Sequence, residues 1–404
     1  MAKARSQHTN ALITKRPMTD VIASDGAALS KELQAMRAAL FPPAAQKVLR
    51  SFSSVEAAKL IGIADAYLRQ LSLNGKGPQP AISSGGRRSY TLDQINEIRA
   101  VLDENAKGKK YVPHRRAGEH CQVMAAVNFK GGSGKTTTAA HLAQYLALNG
   151  YRVLAVDLDP QASLTALHGY QPEYDIATNE TMYAAVRYDD QRRPLKDVIR
   201  KSYIPGLDLV PGNLELMEFE HDTPRALAEH STEPFFGRVA SALGSVVDDY
   251  DVMVLDCPPQ LGFLTLGALC ASTGLLITAH PQMLDVMSMC QFLLMASDLL
   301  SVVQDSGGDL DYDFIRYVVT RYEPSDGPQT QMVGFMRSLF RERVLTNAML
   351  KSTAISDAGL SKQTLYEVGR ENFSKSTYDR AIESLDAVNG EIETLIKEAW
   401  GRDV

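Results

Sequence analysis

Cysteine is scarce and dispersed in this chain. The four thiols, Cys121, Cys257, Cys270 and Cys290, form no close pair, so neither a zinc site nor a disulfide framework is indicated, and buried or incidental thiols are expected. No run reaches the roughly 18 consecutive apolar residues of a membrane span, and the first residues lack the apolar stretch of a secretory signal. A cytoplasmic protein with no membrane partner is expected. Internal repeats are absent too. What is present is an ordinary globular composition, 45% apolar and 22% charged, in a chain of 404 residues, long enough for two or more domains.

Acidic residues are few in the first part of the chain and basic ones outnumbered in the rest. Residues 1–118 hold 19 Lys and Arg against 9 Asp and Glu, whereas the remaining 286 hold 23 against 39. Such segregation fits a basic, nucleic-acid-facing region joined to an acidic enzymatic body. It equally fits a solvated basic tail, and charge alone does not separate the two.

Periodicity divides the chain further. Residues 1–48 contain an arm without pattern and then a helix, with Asp25 as N-cap and Leu29, Leu33, Met36 and Leu40 on one face before Pro42-Pro43. That helix suits a dimer contact or packing on its own domain. Residues 49–104 form a compact segment, and 105–120, polar, basic and broken by Gly and Pro, read as a linker. From 121 to 404, apolar strands alternate with helical patterns. The strands are expected over Val123–Asn128, Arg152–Asp157, Leu207–Pro211, Val252–Asp256, Leu275–Ala279 and Ile315–Thr320. Strands apolar throughout fit a mostly parallel sheet covered on both faces, an α/β doubly wound domain.

Chemistry concentrates between the first of these strands and the helix bearing Ala139, Leu142, Ala143 and Leu146. Residues 129–137 read Phe-Lys-Gly-Gly-Ser-Gly-Lys-Thr-Thr. Gly131, Gly132, Ser133 and Gly134 let the backbone wrap an anion at a helix N-terminus. Lys135 would neutralise the β- and γ-phosphates, Thr136 would ligate Mg²⁺, and Thr137 would touch the α-phosphate. The usual P-loop has glycine where this chain has Phe129, and here Lys130 follows it.

Lys-Gly-Gly-x-Gly-Lys-Thr resembles the deviant Walker A motif of the ParA-type partition ATPases. Two further motifs strengthen the resemblance. One is Val153-Leu-Ala-Val-Asp-Leu-Asp-Pro-Gln-Ala-Ser163, and the other is Asp251-Val-Met-Val-Leu-Asp-Cys-Pro-Pro259. The resemblance implies ATP and Mg²⁺ as cofactors and an ATP-sandwich homodimer in which Lys130 reaches the partner's phosphates. Asp159 would orient or activate the attacking water, Asp157 would sit near Mg²⁺, and Asp256 would hold the metal through water. Pro258-Pro259 and Gly262 would sense the γ-phosphate, while Pro281, Thr320, Arg321 and Tyr322 would flank adenine. Read locally, Lys130 is also compatible with a solvated lysine, and the acidic pair with a helix cap.

The N-terminal segment resembles a winged helix-turn-helix of the MerR type. Val55, Ala58, Leu60, Ile63, Leu68 and Leu71 are expected to fill the angle between two helices. Tyr67, Arg69 and Lys76 would then lie on or beside a recognition helix, with Arg87 and Arg88 on the wing and a further helix over Asp93–Leu102. A small helical domain that binds protein is the alternative. The family also implies sequence-independent DNA contacts late in the ATPase domain, for which Arg337, Arg341, Arg343 and Lys351 are the candidates.

With both parts taken together, the chain resembles the long type of partition ATPase, as in RepABC plasmids. It would be cytoplasmic and nucleoid-associated, would repress its own operon, and would be partnered by a ParB-like centromere-binding protein. A nucleotide-switched transcriptional regulator with negligible turnover is the alternative. The cell-division, iron–sulfur and tyrosine-kinase relatives lack support here. Glu391–Trp400 is not a basic amphipathic membrane segment, the cysteines show no cluster arrangement, and there is no tyrosine-rich tail.

Overall fold

The computed structural model of the chain describes residues 17–40, 47–106, 108, 110–229, 233–308 and 310–403, with residues 33–40 described by backbone alone. Two compact units divide at Lys47 and Val48. In the first, α1 spans Met18–Leu40. It starts well ahead of Asp25, which lies in its interior. Asp20 in the first turn supplies the favourable negative charge there, and the Asp20 N–H bonds back to the Pro17 carbonyl at 3.0 Å. Leu29 is exposed, while the side chains of Leu33, Met36 and Leu40, and Pro42-Pro43, lie outside the described residues.

The second unit opens with β1 (Phe52–Ser53), α2 (Ser54–Ile61), α3 (Asp65–Leu73), β2 (Ala81–Ile82), β3 (Arg88–Tyr90) and α4 (Leu92–Glu104). Ser53 and Glu56 form a capping box at the start of α2, and Thr91 with Gln94 repeats the device at α4. Gly62, at φ 76°, ends α2 in the left-handed conformation. The three strands form an antiparallel sheet in the order β1-β3-β2. Ala57, Ala58, Ile61, Leu68, Leu71, Ile95 and Ile98 make the core. Val55, expected among them, is 64% exposed. Positions 54, 57, 58 and 61 are the buried ones, a helical stripe that leaves Val55 on another face.

The larger body is built on a seven-stranded sheet among the described residues, ordered β10-β9-β4-β8-β5-β7-β6. Its strands are β4 (Gln122–Val127), β5 (Val153–Asp157), β6 (Arg200–Lys201), β7 (Leu207–Val210), β8 (Val252–Asp256), β9 (Gly274–Ala279) and β10 (Phe314–Val319). All pairings are parallel except that of the edge strand β6 with β7. The two-residue strand β6 was not expected, because so short a polar edge carries no apolar run. Alternation along β4 sends Met124 and Ala126 into one core and Val123, Ala125 and Val127 into the other. The sheet is therefore buried on both faces, which is why its strands read as continuous apolar runs. Because the strands are parallel, the carboxyl ends of β4, β5, β8, β9 and β10 share one edge, where α/β sheets bind ligands.

Arg115, in the segment expected to be a linker, is bonded to this body. The Arg115 N–H donates to Asp251 at 2.9 Å, and its guanidinium donates to the carbonyls of Val247, Tyr250 and Glu119. The expectation that no unbroken apolar run reaches membrane length holds, although one helix has the length and average apolarity of a span. Helix Met283–Asp305, at mean hydropathy 1.7, is long and apolar enough to span a membrane by length and composition, with 22% of that window buried. It is interrupted by acidic residues rather than continuously apolar, so a search for unbroken runs passes over it.

The two folded parts meet at Arg99 of α4, which is 2% exposed. Its Nη2 donates to the Leu60 carbonyl in α2 and to the Leu148 carbonyl at the end of α5 (Lys135–Leu148), both at 2.7 Å. Burial lowers its pKa to about 10. Gly150, at φ +95°, makes room for it: a Cβ there would lie 3.0 Å from Arg99 Nη1. Replacing Arg99 by Met should leave two carbonyls without this donor and destabilise the second unit by about 2 kcal/mol, measurable as a lower denaturant midpoint.

Candidate active site

The loop after β4 is held from behind before any ligand is considered. The Asn128 amide donates to the Thr278 carbonyl and its Oδ1 accepts the Lys130 N–H at 3.0 Å. Ser133 Oγ pairs with Thr278 Oγ1 at 2.9 Å. From the end of β10, Thr320 Oγ1 donates to the Ser133 carbonyl at 2.6 Å and Arg321 donates to the Gly132 carbonyl at 3.1 Å. Gly134, at φ +92°, lies close enough to Thr320 that a Cβ would approach it to 3.3 Å. Thr320 and Arg321 thus brace the loop as well as lining the cavity in front of it. Arg321 itself is held at φ +52°, an uncommon conformation for a non-glycine residue.

That cavity, about 610 Å³, is lined at one end by Gly131, Gly132, Gly134, Lys135, Thr136 and Thr137, with Asp159 and Pro259 beside them. Its size is that of a small-molecule site. Its lining also includes Met349, Leu350, Ser352, Ile355 and Leu385. No motif marks these residues in the sequence. They reach the cavity because the chain after β10 and the C-terminal helix pack against α5. Pro281 does not line this cavity: it borders a separate groove between the helices Met283–Asp305 and Gly327–Phe340.

Strand register brings the two acidic motifs together, pairing Asp157 of β5 with Asp256 of β8. Both are fully buried. Neither carboxylate oxygen of Asp256 has a hydrogen-bond partner, although Thr136 is near enough to pull its pKa down. Burial and then Asp157 push that pKa well above the usual carboxylate range. Asp157 is differently placed. Its Oδ2 accepts from the Thr165 N–H and hydroxyl, each at 2.7 Å, and its Oδ1 accepts the Asp159 N–H at 3.2 Å. Burial raises its pKa to about 7. Its lone pairs are thus engaged in bracing the turn after β5, and Asp256 is the carboxylate left for a cation.

Lys135 is buried, with its pKa lowered first by desolvation and raised again by Asp256 and Asp159. Its ammonium donates to the Lys130 carbonyl at 3.2 Å. Among the described residues no cluster of three His, Cys, Asp or Glu could hold a metal alone. Mg²⁺ needs no such cage, since it keeps waters and takes phosphate oxygens with one or two protein ligands. The Thr136 hydroxyl and the orphaned Asp256 carboxylate fit it.

The basic candidates are dispersed. Arg69 pairs with Asp65 at 2.6 Å on α3, and Arg88 touches the Arg69 carbonyl at 3.5 Å, while Tyr67, Lys76 and Arg87 are exposed. Arg337 donates to the Thr346 carbonyl at 2.7 Å, Arg341 adopts φ +51°, and Arg343 sits over the Phe340 ring at 5.9 Å. Lys351 pairs with Glu323 at 2.5 Å and lines the cavity.

A glycine-rich loop between an interior parallel strand and a helix, with a buried acidic pair on two adjacent strands of the same sheet, defines the class: a P-loop nucleoside triphosphatase. Residues 121–304 match the family model described as an AAA domain. Over 378 residues the chain is 57% identical to the putative replication protein A of Rhizobium rhizogenes, covering 93% of this chain and 94% of that relative. It is 30% identical over 368 residues to the protein SopA of Escherichia coli strain K12, covering 89% and 92%. A solved structure named Partition Protein superposes with a TM-score of 0.64, covering 92% of this chain and 98% of that one, at 20% identity. The chain belongs to the ParA-type partition ATPases, alongside the rhizobial replication protein A. The glycine-rich loop, Lys135, Thr136 and the unpartnered Asp256 carboxylate fit a nucleoside triphosphate held with Mg²⁺.

The buried acidic pair has a measurable cost. Asp157 is protonated more readily in the fold, about 7 against 3.8, and the Asp256 shift has the same sign. This contribution to stability is therefore complete below about pH 4 and lost as pH rises through about 7. Asp256→Asn should raise the melting temperature of the nucleotide-free protein at pH 8 by at least about 2 °C while abolishing Mg²⁺-dependent hydrolysis, read by calorimetry and phosphate release.

Proposed function

We propose that the chain is an ATP-driven DNA partition protein that cycles between monomer and ATP-sandwich dimer, binds DNA, and represses its own operon. The observation that carries the reading is the pairing, at one sheet edge, of a phosphate loop with a second lysine, Lys130, whose ammonium is directed away from its own phosphate cavity. Transfer of a phosphoryl group to water depends on positioning and charge more than on covalent chemistry. In this reading the loop N–H groups and Lys135 hold the β- and γ-phosphates, and Thr136 and Asp256 hold Mg²⁺. Asp159, whose Oδ1 accepts the Gln161 N–H at 2.9 Å, orients the attacking water. Lys130 supplies the remaining positive charge to the partner's phosphates. When bound, Mg²⁺ neutralises charge developing on the phosphate oxygens.

Met349, Ile355 and Leu385 are the apolar surface offered to the base, with Thr320 and Arg321 beside the loop. Pro258-Pro259, with Pro259 on the cavity wall, leads into helix Phe263–Ala271. Glu220 accepts the Phe263 and Leu264 N–H groups at 2.8 and 2.9 Å, which fixes the far end of this γ-phosphate-sensing segment. Domain boundaries at 48/49, 104/105 and 120/121 go with these roles.

Residues 49–104 act in this proposal as a winged helix-turn-helix. The α3 helix presents Tyr67 and Arg69 to the major groove, with Lys76 just beyond its C-terminal end, and the β2–β3 hairpin presents Arg87 and Arg88 to the backbone. Its support is the observed order of elements, the exposure of Tyr67, Arg69, Lys76 and Arg87 and the basic balance of the region. Arg337, Arg341, Arg343 and Lys351 are the weaker candidates for sequence-independent contact, since Lys351 faces the cavity. A ParB-like centromere-binding protein, stimulation of slow turnover, and a cytoplasmic, nucleoid-associated location complete the proposal.

Asp159→Ala should retain ATP binding and lose at least about 100-fold in turnover with DNA and partner present. Wild-type protein that binds ATP and promoter DNA without measurable turnover would instead be a nucleotide-switched regulator. For the DNA contacts, Arg87→Ala with Arg88→Ala should weaken promoter binding and reduce the salt dependence of affinity by about two counterions, read by titration at several salt concentrations.

A further inference from the structure

We propose that Asp285 is a positioning residue that latches Lys130 within its own subunit, so that release of this latch sets the concentration at which the nucleotide-bound dimer forms. The proposal rests on the cross-subunit role of Lys130 stated above and names the residue that regulates it. Lys130 Nζ lies 2.5 Å from Asp285 Oδ1, with the aspartate side chain 8% exposed. Asp285 sits in the first turn of helix Met283–Asp305, where the helix dipole favours a carboxylate. Its Oδ2 meets His280 Nδ1 at 3.2 Å. Both carboxylate oxygens are engaged, and the residue sits in a pocket of low solvent exposure, where an ion pair is worth more than on an open surface.

The backbone of Lys130 faces its own site, because Lys135 bonds its carbonyl, yet Lys130 is not among the residues lining the phosphate cavity. The side chain is therefore committed to Asp285 in the single subunit. An ammonium cannot keep this contact and also extend to a partner's phosphates. Only the unlatched fraction is competent, and apparent affinity falls in proportion to that fraction. A two-fold symmetric dimer has two such lysines and two latches, so the effect on dimerisation is the square of the effect at one site. Negative charge brought by the partner's nucleotide competes with Asp285 for the same ammonium, so opening and association are one linked step.

The test uses the full chain with Mg²⁺ and a non-hydrolysable ATP analogue, following dimerisation by analytical ultracentrifugation. Asp285→Asn should lower the dimer dissociation constant roughly tenfold, from about threefold at each of two sites, whereas Asp285→Glu stays near wild type. Lys130→Gln should not dimerise, and Lys130→Gln combined with Asp285→Asn should behave like Lys130→Gln alone. Asp285→Ala serves the same comparison if the amide variant does not fold. Dimerisation at the wild-type concentration, or a higher one, in Asp285→Asn and Asp285→Ala with Lys130→Gln still defective would make Asp285 a mere support and overturn the latch. Normal dimerisation of Lys130→Gln would instead overturn the cross-subunit reading on which it rests.

Discussion

Asp157 and Asp256 stand side by side, fully buried, at the ends of β5 and β8, and the arrangement of the body follows from how each is accommodated. Two desolvated carboxylates repel, and neither can be left without partners cheaply. The fold resolves this asymmetrically. Thr165 and the Asp159 N–H satisfy Asp157, which fixes the turn carrying Asp159 toward the cavity. Asp256 is left with bare oxygens, beneath Lys135 and near Thr136. A site kept partly unsatisfied at the expense of the empty state gains most when a cation and polyphosphate arrive, as expected of an active site that trades stability for function.

Around that pair, every element that shapes the phosphate loop is itself a strand end. Asn128 follows β4, Thr278 belongs to β9, and Thr320 with Arg321 follow β10. Parallel pairing places these ends on one edge, so loop geometry is inherited from the sheet rather than from the glycines alone. Glycine permits the conformation, and the hydroxyl and amide contacts select it.

Much of this was legible in the sequence because burial on both faces writes itself as unbroken apolar runs. The six expected strands fall within a residue or so of those observed, and the α5 residues Ala139, Leu142, Ala143 and Leu146 are all buried. What stayed hidden depends on long-range register. The engagement of Asp157 by Thr165, the cavity wall at Met349, Ile355 and Leu385, and the contact of Lys130 with Asp285 join residues that no local spacing relates. Pro281 shows the converse. It follows the end of β9, near the edge that holds the nucleotide loop, but its position on the rim puts it in the neighbouring groove. Val55 was misread for a local reason, since one residue's displacement along a helix turns a side chain by about 100°.

Arg99 gives helix α5 two employments. Its first turn cradles the phosphates, and the carbonyl at its last residue, Leu148, is bound by an arginine of the N-terminal segment. The ATPase body is therefore not a self-contained piece to which a DNA-reading module was added. A chain cut to begin at β4 would leave the Leu148 carbonyl without its arginine donor and open the notch at Gly150, and the excised body would differ from the intact protein at the helix that holds its ligand.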